Sequence, residues 1–127
     1  MQLNISGEKP IFLQLAEELE DDILKGIFEE ETQIPSTTEV AVKFKINPAT
    51  ANRGVNLLVD EGIIYKKRGI GMFVCPGARE KIALKRKNTF FDRYVSPLIE
   101  EAKSINVSKA EIIAMIEGGS WNEPDRG

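Results

Sequence analysis

Between Ile11 and Ile23 the apolar residues recur at helical spacing. Ile11, Phe12, Leu15, Ala16, Leu19 and Ile23 form one stripe, and acidic residues fill the opposite face. Pro10 opens this predicted helix and Gly26 closes it, after which Ile27-Phe28 anchors a loop. Glu29-Glu30-Glu31 reads as a solvated acidic turn; adjacent carboxylates in a loop are seldom preorganised for a metal. Thr32-Gln33-Ile34 can add a short strand. Ser36 then precedes a second helical pattern, with Glu39 three residues on. Ser-x-x-Glu is a capping box, in which each side chain satisfies a backbone N–H of the first turn. Val40, Ala41 and Phe44 share the inner face. Asn47 is a good N-cap and Pro48 suits the first helical position, so a third helix is predicted from about Pro48 to Glu61, stopped by Gly62. Ile63-Ile64-Tyr65 and Ile70-Gly71-Met72-Phe73-Val74 flank Lys66-Lys67-Arg68-Gly69, a hairpin signal.

After Pro76-Gly77 the pattern changes. Residues 78–103 read as a long helix, basic at first (Arg79, Lys81, Lys85, Arg86, Lys87) and then apolar (Phe90, Phe91, Tyr94, Val95, Leu98, Ile99, Ala102). Pro97 inside it should kink or break it. Ser108, with Glu111 three residues on, caps a further helix with Ile112, Ile113, Met115 and Ile116 on its apolar face, ended by Gly118-Gly119. Two such helices cannot enclose a ligand cavity of several hundred Å³, yet they carry more apolar surface than they can bury alone. Pairing with the same helices of a second chain is the expected solution, through Phe90, Phe91, Tyr94, Val95, Leu98, Ile112, Ile113 and Ile116. The alternative is that they pack back on their own N-terminal domain. The fold class is α+β: an N-terminal domain over residues 1–75, with residues 1–9 an extended arm, a helical segment over 76–119, and a frayed tail over 120–127.

Two helices, a short turn and a basic hairpin make a helix-turn-helix with a wing. The third helix is two-faced. Ala51, Val55, Leu58 and Val59 point one way; Ala49, Asn52, Arg53, Asn56 and Asp60 point the other. Asn and Arg near the N-terminal end of such a helix can make bidentate contacts to purines in the major groove. A plain amphipathic helix with a solvated polar face would show the same pattern. Gly54 costs about 1 kcal/mol inside a helix, so it marks close packing or close approach. Lys66, Lys67 and Arg68 would repel one another on a free surface, and a polyanion is their natural partner. Net charge is −3, which is no obstacle. Acidic residues concentrate before Glu31 and basic ones between Lys43 and Arg93, and only charge within a Debye length of about 10 Å acts on a phosphate.

These residues resemble the winged-helix domain of the GntR family of bacterial transcription regulators. The likeness rests on Pro10-Ile11, Ile34-Pro35-Ser36 with Glu39, Thr50 with Arg53, Leu58 to Ile64, and Arg68 to Val74, in order and spacing over about residues 8–75. Asn47-Pro48-x-Thr50 and the short tail are similar to the YtrA-type subfamily. Two family arginines are replaced, by Thr38 after the Pro-Ser motif and by Pro48 before the recognition-helix threonines. The operator preference of better-known relatives therefore does not carry over. The resemblance implies double-stranded DNA as partner and a homodimer built through the two C-terminal helices. In that reading Thr50, Asn52, Arg53 and Asn56 face the major groove, and Ser36, Thr37, Thr38 and Asn47 sit at helix N-termini near phosphates. Lys66, Lys67, Arg68 and Gly69 hold the flanking backbone or minor groove.

Composition narrows the alternatives. One cysteine and no histidine rule out an intrachain disulfide and a Cys/His zinc site, and Cys75 reads as a small apolar residue. No histidine is present for acid–base work, and Gly69 and Gly71 form no phosphate-cradling loop, so no enzyme and no cofactor are expected. No stretch has the roughly 20 apolar residues of a membrane span and no signal pattern opens the chain, so a cytoplasmic protein is expected. A winged helix used only for protein interaction remains the competing reading, and salt-dependent duplex binding separates the two. The operator and any effector are not legible.

Overall fold

Order of elements follows from local signals acting one after another. The computed structural model describes residues 3–4 and 7–121. The helices are α1 (Ile11–Leu24), α2 (Thr37–Phe44), α3 (Pro48–Asp60), α4 (Ala78–Phe90), α5 (Ser96–Ser104) and α6 (Lys109–Glu117). The strands are β1 (Gln33–Ile34), β2 (Ile64–Lys67) and β3 (Gly71–Val74). They form one antiparallel sheet in the order β1-β3-β2, with Ile34 opposite Met72 and Tyr65 opposite Phe73.

The chain divides into two compact units, residues 1–86 and 87–127. In the first, α1 to α3 and the sheet enclose Leu15, Leu19, Ile23, Val40, Ala51, Val55, Leu58, Ile63, Ile64 and Val74. Ala78 and Ile82 of α4 are fully buried in the same core, which is why this unit runs past residue 75. The α3 stop is as the glycine predicts: Gly62 sits at φ +76°, and the Ile63 N–H reaches back to the Leu58 carbonyl at 2.9 Å. The end of α2 is different. Lys45, with no glycine to help, takes the left-handed conformation at φ 55°. Of the expected N-terminal arm, residues 1–2 and 5–6 lie outside the described residues; Asn4 is gripped by the Gln14 amide, through its N–H at 2.6 Å and its carbonyl at 2.8 Å.

The acidic loop is not simply solvated. Glu30 accepts from the Gly77 N–H at 2.9 Å and the Arg79 N–H at 3.2 Å, so its carboxylate caps α4. These backbone bonds hold its carboxyl below the ordinary 4.5. Glu39 and Glu111 are lowered in the same way by the backbone N–H groups of Ser36 and Ser108. Depressed carboxyls stabilise the fold above their unfolded value, and that contribution disappears as pH falls through the folded values. Glu18 acts in the opposite sense: burial, then Asp21 and Asp22, push it up. The melting temperature should therefore fall as pH drops below about 4.5, and Glu30→Gln should flatten part of that limb. An unchanged acid limb in the variant would remove Glu30 from the account.

The acidic face of α1 also does more than face water. Glu20 is only 2% exposed. It pairs with Lys85 and, at 3.2 Å, with Arg86; Arg86 also meets Asp21 at 2.6 Å, and Lys85 meets Glu61 at 2.9 Å. Burial opposes the charge on Lys85 and Arg86, but these carboxylates outweigh it and raise both above their usual values. Two cations counted in the basic half of the chain are thus paired with carboxylates, mainly those of α1.

In the second unit the expected long helix is interrupted. A π turn spans Phe91–Val95, and the Ser96 N–H bonds the Phe91 carbonyl, five residues back. Pro97 stands in the first turn of α5. It has no N–H to continue the ladder and its ring crowds the preceding turn, which widens. The capping box at Ser108 and Glu111 forms as the spacing predicts. The tail beyond Trp121 lies outside the described residues.

Candidate nucleic-acid interface

Two helix N-termini present the first set of candidate residues. The Glu39 N–H donates to Ser36 Oγ at 3.1 Å and the Ser36 N–H donates to Glu39 Oε1 at 2.8 Å. The Ser36 oxygen is therefore occupied as an acceptor, while its hydroxyl proton can still be donated. Thr37 and Thr38 follow in the first turn of α2, Thr38 exposed and Thr37 half-buried. Asn47 caps α3: its Oδ1 accepts from the Ala49 N–H at 2.7 Å. Asn47 is thus tied into the fold as well as exposed.

On α3 the inward face is Ala51, Gly54, Val55 and Leu58. The outward face, with two residues from its flank, makes an open groove lined by Phe12, Ala49, Asn52, Arg53, Asn56, Leu57 and Asp60. Thr50 lies beside it, half-buried. The Arg53 guanidinium lies 3.8 Å from the centre of the Phe12 ring. Among the described residues it has no hydrogen-bond or ion-pair partner, so its donors are available. Phe12 was expected in the core stripe alone; its part in this groove was missed, because nothing in the spacing of α1 indicates that its first turn meets Arg53. Asp60 places one carboxylate at the far end of the groove.

The wing is a tight hairpin. The Ile70 N–H bonds the Lys67 carbonyl at 2.9 Å, with Gly69 between them at φ +77°. Gln33 of β1 reaches across, its Nε2 donating to the Ile70 carbonyl at 3.0 Å. Gly71, at φ +147°, leaves room for that amide; a Cβ there would run into it. Strand alternation sends Lys66 and Lys67 to opposite faces of the hairpin, and Arg68 occupies the turn. Lys67 rests over the Phe73 ring, 4.8 Å from its centre, and Phe73 stacks on Tyr65 at 5.7 Å. Among the described residues Lys66, Lys67 and Arg68 have no carboxylate partner. This contrast with Lys85 and Arg86 separates cations free to meet phosphate from cations used to hold α4.

In the second unit the two helices, expected to enclose no space of several hundred Å³, form between α5 and α6 a partly open apolar groove of about 390 Å³, lined by Val95, Leu98, Ile112, Ile113 and Ile116 and joined by Ile99, Ala102 and Val107. Phe90, Phe91 and Tyr94 form a separate exposed aromatic patch, with the Phe90 and Tyr94 rings 5.4 Å apart. The sequence pattern grouped these as one surface; the structure makes them two neighbouring features. No helix among the described residues is long and apolar enough to cross a membrane. No cluster of three or more Asp, Glu or Cys side chains is gathered there as a metal would require.

The three-helix order, the α3 groove and the cationic hairpin define a winged helix-turn-helix DNA-binding protein. The model of the bacterial regulatory proteins of the gntR family matches residues 12–74. A GntR-family transcriptional regulator from Bacteroides thetaiotaomicron, known from a crystal structure, is 39% identical; the match covers 84% of this chain and 93% of that one with a TM-score of 0.68. The chain belongs to the GntR family, a family of DNA-binding transcription regulators and not of enzymes. The HTH-type transcriptional repressor YtrA of Bacillus subtilis is 28% identical over 97% of this chain and 99% of its own length, which places the chain in the short-tailed YtrA-type branch. The HTH-type regulator YurK of the same organism is 29% identical over 71% of this chain, but the match spans only 38% of YurK. What this chain shares with YurK is therefore confined to part of that protein.

Proposed function

We propose that this chain is a cytoplasmic homodimeric repressor that binds an inverted-repeat operator. The observation that carries the reading is a set of donors on one unit that have no hydrogen-bond or ion-pair partner among the described residues: Arg53 with Asn52 and Asn56 on α3, and Lys66, Lys67 and Arg68 on the wing. Thr50, Asn52, Arg53 and Asn56 read base edges in the major groove. Ser36, Thr37, Thr38 and Asn47 lie near phosphates at the ends of α2 and α3, and the wing cations with Gly69 hold the flanking backbone. Phosphate contacts set the register and groove contacts set the sequence. Leu98, Ile112, Ile113 and Ile116, with Val95 and the Phe90, Phe91 and Tyr94 patch, form the contact between two copies. A two-fold dimer matches a two-fold operator. Repression is the activity named for YtrA, and a dimer seated on a promoter blocks access to it.

The direct test is a mobility shift on the promoter upstream of the protein's own gene, titrated with salt and unlabelled competitor. Saturable binding that resists competitor and maps to an inverted repeat supports the reading; binding that competitor abolishes leaves only charge attraction and favours a protein-interaction module. Arg53→Ala should weaken specific binding by about 1–3 kcal/mol, the usual value of one good base contact. Unchanged specific affinity would misplace the recognition face. Lys67→Ala should weaken binding to every sequence and lower the slope of log K against log salt by about 1. A slope equal to the parent's would take Lys67 off the phosphate backbone.

A further inference from the structure

We infer that Phe12 is a positioning residue for sequence readout: its ring is the platform that holds the Arg53 guanidinium in the orientation that reads a base. The inference rests on the proposed recognition face and adds a residue outside the helix-turn-helix itself. A free arginine side chain loses considerable rotamer freedom on binding. Here the guanidinium carbon already lies over the aromatic face, 3.8 Å from the ring centre; contact through the face leaves the N–H donors at the guanidinium edge available for a bidentate contact. The platform is fixed from below. Gly54, one residue on from Arg53, has no side chain, so the backbone of α1 at Phe12 comes close; a Cβ on Gly54 would lie 2.9 Å from the Phe12 carbonyl oxygen. Among the described residues no carboxylate competes for Arg53. Asp60 lines the same groove without pairing to it. Guanine, with acceptors at O6 and N7, is the base whose edge fits a held guanidinium.

The test uses the full chain and a duplex selected by it from random sequence. Phe12→Leu keeps apolar bulk but removes the ring face, and Phe12→Tyr keeps the face. Phe12→Leu should lower specific affinity about fivefold with the salt slope unchanged, and Phe12→Tyr should restore it. In an Arg53→Ala background the Phe12→Leu loss should vanish. Replacing the contacted guanine with 7-deazaguanine should cost wild type more than it costs Phe12→Leu. If Arg53→Ala weakens specific binding but Phe12→Leu adds its full loss on top, Phe12 is core filler and the inference fails alone. If Arg53→Ala leaves specific binding unchanged, the recognition face itself is misplaced and both fail.

Discussion

Leu98→Asp should leave the chain folded, turn a dimer into a monomer and reduce operator affinity at least about 100-fold. Leu98 is already 44% exposed in the single chain, so a carboxylate there costs the isolated unit little. Against a second copy it would be a desolvated charge in an apolar groove with Ile112, Ile113 and Ile116. Two linked half-site contacts then become one. The loss is that of effective concentration, with no DNA contact altered. A second signature follows from counterion release: a monomer neutralises half as many phosphates, so the salt slope should also fall by about half. Sedimentation equilibrium on parent and variant checks the first part, and mobility shifts at several salt concentrations check the second. A parent that sediments as a monomer at micromolar concentration sinks the dimer reading, whatever the variant does. A dimeric variant with lost affinity would move the interface elsewhere, to the aromatic patch of Phe90, Phe91 and Tyr94.

Local signals carried most of the architecture. The capping boxes at Ser36 and Ser108, the Asn47-Pro48 start of α3, the Gly62 stop and the hairpin are each written in a few consecutive residues. Pairings across the fold are of another kind. Glu30 reaches the N-terminus of α4, and Glu20 reaches Lys85 and Arg86, over separations that no periodicity encodes. In the sequence Lys85 and Arg86 count toward the same basic stretch as Lys66 and Lys67, although only the wing cations are candidates for phosphate. Only the fold assigns Lys85 and Arg86 to carboxylates of α1 and, among the described residues, leaves Lys66 and Lys67 without a carboxylate partner. Arg53 was legible as a candidate because its place on α3 follows from helix geometry. Its partner Phe12 was not, because which turn of α1 crosses α3 depends on where Gly54 lets the two backbones meet.

That crossing gives the largest expected effect on stability. Gly54→Val should destabilise the protein by about 3 kcal/mol, at the upper end for overpacking a tight core, which lowers the melting temperature by about 15 °C for a unit of this size. Helix propensity predicts the reverse, since glycine inside a helix is worse than most residues by up to about 1 kcal/mol. The geometry decides between them. A Cβ at Gly54 would lie 2.9 Å from the Phe12 carbonyl oxygen and 3.0 Å from Leu15 Cδ2. The leucine can turn, but the carbonyl belongs to the backbone of α1 and moves only if α1 moves. Valine adds two methyl groups at the same point. Gly54→Ala meets the same oxygen with less bulk, so its loss should be smaller and partly offset by the propensity gain. Thermal and urea unfolding of the three proteins would order them wild type, Ala, Val. A Gly54→Val protein as stable as the parent would mean that α1 and α3 are free to separate, and Phe12 would then not be held against Arg53.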